Sequence, residues 1–301
     1  MARIAEKLAG GSVVSKRHIL LQSAVMKDNS ISTKMILLPE TAAALDRLRC
    51  CLERLQPVTI AFSGGMDSSL LALAAHKYLP DRYQAILVDS EFMSASEMRI
   101  ARATAHKHRF KLKEIRISTL EEPLVAANPA LRCYHCKKAI FKRILAEAGP
   151  ENNICEGSVT DDNDDFRPGK QALKELGITS PLLECGFSKS MVSEVLRHWG
   201  AANLVRPAQS CLATRIETGT AIAGNILQSI EKGEEMLRDA GLTECRLRHH
   251  GSLARLEVAP NQVHRALDIA AGLSRQLSDL GYKHVCIDIN GYRQGSMNRT
   301  D

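Results

Sequence analysis

Apolar and polar positions alternate in blocks along this chain. Val58–Phe62 is a short β-branched and apolar run of the kind a buried parallel strand needs. It is followed at once by Ser63-Gly64-Gly65-Met66-Asp67-Ser68-Ser69 and by the apolar run Leu70–Leu73, which reads as strand, tight loop and helix. Upstream, Ala44, Leu45, Leu48, Leu52 and Leu55 recur at helical intervals, predicting a helix over 41–55 that leads into this strand. Downstream, strands are expected at 85–89, 113–117 and 153–157, with a helix over 94–109 opened by a Ser94/Glu97 capping box. A second helix is predicted over 188–199, where Met191, Val192, Val195, Leu196 and Trp199 make one apolar face and Gly200 supplies the stop.

Strand and helix alternate, which predicts right-handed βαβ units in an α/β, doubly wound parallel sheet. From about Thr218 the pattern becomes that of a smaller α/β unit. A helix carries Ile226, Leu227, Ile230 and Leu237, strands follow at 245–249 and 254–258, and a long helix is expected over 262–280. The predicted organisation is an extension over 1–36, a nucleotide-binding domain over 37–217 and a C-terminal substrate-binding and oligomerisation domain over 218–301. The extension is poor in acids and is read as a loose tail or an upstream start, with an organelle transit peptide as the alternative.

The loop at 63–69 carries the chemistry. Two glycines permit positive φ and remove Cβ, and the helix that follows aims free N–H groups and its positive dipole end into the loop. A phosphate or pyrophosphate fits there. No Gly-Lys-Ser/Thr follows, which excludes the Walker pattern, and no third glycine completes the dinucleotide fingerprint. Ser63, Gly64, Gly65, Asp67, Ser68 and Ser69 are therefore the predicted nucleotide-binding residues. Ligands of doubly wound sheets bind beyond the carboxyl ends of strands, which places Asp89 and its neighbour Ser90 where an adenosine is held and adds Gly157. Behind Gly157, the acidic run Asp161–Asp165 is either solvated loop or a holder of Mg2+ beside the pyrophosphate.

Composition narrows the class. In 301 residues, 25% are charged and 45% hydrophobic, as in ordinary globular proteins, and no apolar run approaches the ~20 residues a membrane span needs. The net charge of +6 is mild, and its densest patch, His106–Lys113, reads as a solvated helix end rather than a nucleic-acid footprint. Nine cysteines, an odd number without a secretory signal, indicate a reduced cytoplasmic protein.

Three cysteines draw attention. Cys133 and Cys136 form a Cys-x-x-Cys pair able to converge on a metal or cluster when set in a turn; no second pair completes a zinc site. Cys211 lies between Arg206 and Arg215, whose positive field would lower its pKa, although a buried structural cysteine is the alternative. Arg246 and Arg248 alternate on a predicted strand and so face one side, which suits capture of a phosphate or carboxylate; a surface pair is the plainer reading.

The loop resembles the PP-loop of ATP pyrophosphatases, which split ATP between its α and β phosphates. With Arg132–Cys136, Asp165–Gly169, Pro207–Arg215 and Arg246–Gly251 in the same order, the chain resembles the PP-loop sulfur transferases that act in synthesis of the nickel-pincer nucleotide cofactor of lactate racemase. The resemblance runs from about Leu37 to the 291–298 tail. It implies an enzyme that adenylates a carboxylate of a pyridinium dicarboxylate mononucleotide and then delivers sulfur to it, with ATP and Mg2+, a sulfide donor and a homo-oligomeric state. Cys211 and Asp67 would be catalytic, and Arg246, Arg248, Glu234, Glu257 and Arg215 would meet the substrate. Cys133, Cys136 and Cys211 match members that hold a [4Fe-4S] cluster; in other members the equivalent of Cys211 is itself consumed as the sulfur source. Transfer-RNA thiolation, amide ligation and a non-catalytic scaffold are the other readings.

Overall fold

The computed structural model describes residues 36–162, 168–207 and 209–292. Residues 37–301 cluster as one compact unit. The expected extension over 1–36 lies almost wholly outside the described residues, as do positions 163–167 of the acidic run and its continuation.

Helix α1 (Pro39–Leu55) leads into β1 (Val58–Phe62), and α2 (Met66–Tyr78) follows the glycine loop. Then come β2 (Tyr83–Asp89), α3 (Ala95–His108) and β3 (Leu112–Arg116), each within two residues of the sequence expectation. Ser94 caps α3 through the predicted box: its hydroxyl accepts from the Glu97 N–H, and Glu97 accepts from the Ser94 N–H in return. After a short helix α4 (Pro123–Ala126) comes α5 (Arg132–Ala148), then β4 (Asn153–Cys155). The four strands are parallel in the order β3-β2-β1-β4. The chain therefore reverses its direction of travel across the sheet between β1 and β4. That crevice, at the carboxyl ends of the two strands, is the switch point where such sheets bind ligands. β4 is the last named strand of the sheet, continued by a bridge from Cys155 to Thr179.

Short helices α6 (Pro168–Glu175) and α7 (Pro181–Glu184) precede α8 (Lys189–His198), which Ser188 caps. Leu48, Leu52, Ile60, Leu70, Leu71, Leu87 and Leu196 fill the first core, all essentially inaccessible, each contributing about 1.5–3 kcal/mol by burial. Trp199 packs edge-on against Tyr78, as its position on the apolar face predicts.

The second sheet is built from β5 (Cys245–His250), β6 (Leu253–Val258) and β7 (His284–Ile287), with β5 antiparallel and β7 parallel to β6. Helix α9 (Gly224–Asp239) packs on it. Its core also takes Phe92, Val125, Leu212 and Ile216, so the two sheets share packing across position 217. The expected helix over 262–280 is divided: α10 (Val263–Asp268) ends at Ile269, whose φ of −100° and ψ of 2° leave helical geometry, and α11 (Ala270–Ser278) follows. Among the described residues no helix is long and apolar enough to cross a membrane.

Candidate active site

A cavity of about 760 Å3 opens at the switch point. Ser63, Gly64, Gly65, Asp67 and Ser68 line one side; Glu156 and Gly157 lie beyond β4; Cys136 and Cys211 also line it. The phosphate loop and two of the three singled-out cysteines thus share one space.

The loop is built by its own side chains. Gly64 has a φ of 74°, and a Cβ there would stand 2.7 Å from the Ala101 Cβ of α3, so both conformation and packing require glycine. The Ser68 hydroxyl accepts from the Ser63 N–H at 3.2 Å and donates to the Gly65 carbonyl at 3.1 Å. Gly65 is the N-cap of α2 and supplies no side-chain cap, so the first-turn N–H groups stay open to an anion. Gly157 presses on this turn from β4: a Cβ would lie 2.9 Å from the Ser68 nitrogen. Ser69 is buried beneath the loop rather than lining it. Of the pair expected at the end of β2, Ser90 lines the cavity and Asp89 stands off it.

Asp67 is the group under most tension. Its Oδ1 is buried with no hydrogen-bond partner. Burial, and then the nearby acids Asp162, Asp161 and Glu156, push its pKa up to about 6, against the lowering effect of Lys189. Asp161 and Asp162, the described part of the acidic run, therefore lie near the loop, Asp162 buried and Asp161 exposed. An unpartnered carboxylate oxygen among acids fits a hard cation, which takes one or two carboxylates and completes its shell with water and phosphate oxygens. Among the described residues, no three His, Cys, Asp or Glu side chains are already grouped to hold a metal ion.

The Cys-x-x-Cys pair lies in the first turn of α5 rather than in a free turn. Positions i and i+3 share a helix face, so convergence survives the change. Cys133 is exposed and Cys136 half-buried. Burial and the neighbouring Cys211 and Cys133 push the Cys136 thiol up to about 12. Cys211 also sits near Cys133 and Arg132. The expected lowering of the Cys211 pKa does not occur: Arg132 and Arg215 pull it down, but loss of water around the thiol outweighs them and raises it. Arg206 acts elsewhere, donating to the Gly64 carbonyl at 2.8 Å.

The five residues expected to meet substrate surround the Cys211 turn, but none lines the cavity. Arg215 is 3% exposed, pairs with both Glu234 oxygens at 2.8 and 3.0 Å and donates to the Ser210 and Cys211 carbonyls. Arg248 pairs with Glu257 at 2.7 Å and donates to the Thr214 carbonyl. Arg246 differs. It stacks on Tyr292, donates to the cavity-lining Gln209 at 3.3 Å and keeps a buried Nε without a partner. Lys137, Lys189, Arg206 and Gln209 were missed as cavity residues. No local pattern marks Lys189, since only the packing of α8 against α2 and α1 brings it in; Lys137 could have been suspected from its place beside Cys136.

The basic run at 106–113 is largely engaged, with Lys107 on Asn203, Lys111 on Asp81 and Lys113 on Glu147.

A parallel sheet, a glycine loop at its switch point and a helix N-terminus open to phosphate define an ATP-binding PP-loop enzyme of the adenylating class. The asparagine synthase family model matches residues 44–134, the segment from α1 to the start of α5. Over 259 residues the chain is 34% identical to an uncharacterised protein of Synechocystis sp., covering 85% of this chain and 97% of that one. It is 29% identical over 256 residues to the pyridinium-3,5-bisthiocarboxylic acid mononucleotide synthase of Lactiplantibacillus plantarum, covering 84% and 93%, and 29% identical over 238 residues to an uncharacterised protein of Methanocaldococcus jannaschii, covering 78% and 90%. The chain belongs to this family of PP-loop, adenylating sulfur transferases.

Proposed function

We propose that this enzyme adenylates a carboxylate of a pyridinium dicarboxylate mononucleotide and converts it to a thiocarboxylate. The observation that carries the reading is the cavity shared by the Ser63–Ser69 loop, Asp67, Cys136 and Cys211. It is supported by the similarity to the Lactiplantibacillus synthase, whose name states such a product.

The acceptor carboxylate attacks the α-phosphorus of ATP, and pyrophosphate leaves into the loop. There the open N–H groups of the α2 first turn and the Lys189 ammonium stabilise its charge. Asp67, with the acids beside it, would hold Mg2+, which neutralises the phosphates when bound. Arg246, with its unpartnered Nε, meets the anionic group of the acceptor. Arg215–Glu234 and Arg248–Glu257 hold the surface from which Arg246 and Cys211 are presented. Sulfide-level sulfur, as hydrosulfide, then attacks the acyl carbon, the acyl–phosphate bond breaks and AMP leaves, giving the thiocarboxylate.

Cys133, Cys136 and Cys211, near enough to raise one another's pKa, would hold a [4Fe-4S] cluster after losing their thiol protons, since thiolate is the soft ligand such clusters take. Such a cluster supplies a renewable carrier for sulfide. Nine free cysteines accord with a reducing cytoplasm. A homo-oligomer belongs to the same reading, with the exposed Leu267 and Ile289 bordering one apolar groove. The engaged basic run favours a small acceptor over RNA.

The test is anaerobic reconstitution with iron and sulfide, then addition of ATP and the dicarboxylate mononucleotide. Iron counting, an iron–sulfur absorption band, AMP formation and a thiocarboxylate product are expected. AMP without a cluster, with Cys211 lighter by the mass of hydrogen sulfide, would make Cys211 the consumed sulfur source. No AMP with this acceptor would overturn the substrate assignment.

A further inference from the structure

The element that carries Cys133 and Cys136 and the turn that carries Cys211 are 75 residues apart in sequence, counting from Cys136 to Cys211, yet they approach one cavity. Something must set their relative position. Resting on the sulfur-delivery reading above, we propose that Arg132, anchored by Asn128, is the positioning residue that holds the Cys133–Cys136 turn against the Cys211 turn.

The geometry is specific. Arg132 Nη1 donates to Asn128 Oδ1 at 2.6 Å and to the Ala213 carbonyl at 3.2 Å, while its Nη2 reaches Cys133 Sγ at 3.7 Å. One planar guanidinium therefore touches both cysteine-bearing elements at once, which a flexible point charge does less well. Ala213 is two residues past Cys211, inside the 3-10 turn Leu212–Arg215.

Asn128 fixes the other end. It is fully buried and adopts a φ of 55°, a conformation that Asn tolerates better than most residues. Its Nδ2 donates to the Glu217 and Thr220 carbonyls at 2.8 and 3.0 Å, and its own carbonyl accepts from Gly219 at 2.8 Å. The segment that leaves the Cys211 turn is thus sewn to the segment that enters α5. Arg215 braces the same turn from inside through the Ser210 and Cys211 carbonyls. Arg132 is the brace that also reaches the Cys-x-x-Cys pair.

The experiment uses the full-length, metal-free protein, so it does not depend on a cluster or on turnover. Thiols are oxidised with diamide in the presence of a chelator, and peptide mass spectrometry measures disulfides linking Cys211 to Cys133 or Cys136. ATP affinity is measured on the same samples by calorimetry. The wild type is expected to form the link. Arg132→Met should lower its yield about tenfold, the scale of losing charge-assisted hydrogen bonds, with ATP affinity unchanged. Arg132→Lys should recover part of the yield, because one acceptor remains within reach. Asn128→Gly, which keeps the positive φ but removes the side-chain bonds, should resemble Arg132→Met. An Arg132→Met protein that links at the wild-type yield overturns the proposal, as does a parallel fall in ATP affinity, which would indicate general damage. A wild type that forms AMP yet never links Cys211 also overturns it, while leaving adenylation standing. A wild type that links as expected but makes no AMP fails the proposed function alone.

Discussion

The Arg206 guanidinium donates to the Gly64 carbonyl at 2.8 Å, tying the segment that ends in Cys211 to the loop that receives phosphate. Both residues line the same cavity. The bond orients the peptide between Gly64 and Gly65, whose N–H is held on its other side by the Ser63 hydroxyl at 3.3 Å. Arg206→Ala should lower kcat/KM for ATP by about ten- to a hundredfold, the loss expected for a hydrogen bond made by a charged donor. Steady-state AMP formation at varied ATP concentration checks it.

Asp67 should make ATP use depend on pH in a defined direction. Its pKa is raised from 3.8 to about 6, chiefly by burial. The charged form that attracts Mg2+ therefore appears only as pH rises through about 6, and the affinity for Mg2+-ATP should rise with it. For folding the sign is opposite. A raised carboxyl pKa favours the folded state where the group is protonated, and this advantage is lost between pH 3.8 and about 6. At pH 7.5 without ligand, Asp67→Asn should be more stable than the wild type by about 1–3 kcal/mol, at 1.36 kcal/mol per pKa unit, while its ATP use is abolished. Urea unfolding and AMP assays give both readings.

Gly157→Ala places a Cβ 2.9 Å from the Ser68 nitrogen and 3.1 Å from the Asp67 carbonyl carbon. Both contacts are backbone, so the loop must shift. A stability loss of about 1–3 kcal/mol is expected from overpacking, together with a raised KM for ATP. Differential scanning calorimetry and kinetics would show the two effects together.

Thiol labelling should divide the cysteines by environment. Cys50 and Cys133 are exposed and should be alkylated first at pH 8. Burial pushes Cys185 up to about 12 and Cys245 up to about 11, so both should resist in the folded protein. Bound ATP should slow labelling of Cys136 and Cys211, which line the cavity, and leave Cys50 unaffected. Time-resolved peptide mass spectrometry measures each site.

Removing one partner from the buried Arg248–Glu257 pair should be severe. Arg248 is 4% and Glu257 1% exposed. Glu257→Gln leaves a guanidinium with no equal counter-charge against it and should cost about 3–5 kcal/mol. Arg248→Met combined with Glu257→Leu should cost less, since the buried Arg248 charge goes too and Arg255, which also pairs with Glu257 at 3.2 Å, keeps Asp288 at 3.6 Å. Urea midpoints compare the two.

Much of this protein was determined by local sequence. The run Val58–Phe62, the loop 63–69 and the apolar helix after it form adjacent elements, so hydrophobic period and glycine placement were enough to mark a phosphate site. The same holds for the capping box at Ser94 and Glu97, where both partners lie within one helical turn. Tertiary structure alone decided the rest. The sign of the Cys211 shift depends on lost hydration, which spacing from Arg206 and Arg215 does not report. The division among the arginines depends on which carboxylates fold beside them: Arg215 and Arg248 receive Glu234 and Glu257, and Arg246 keeps an open Nε. Periodicity encodes which side of an element is buried; what lies against that side is set by the packing of residues far apart in the chain, as where Arg206 meets Gly64.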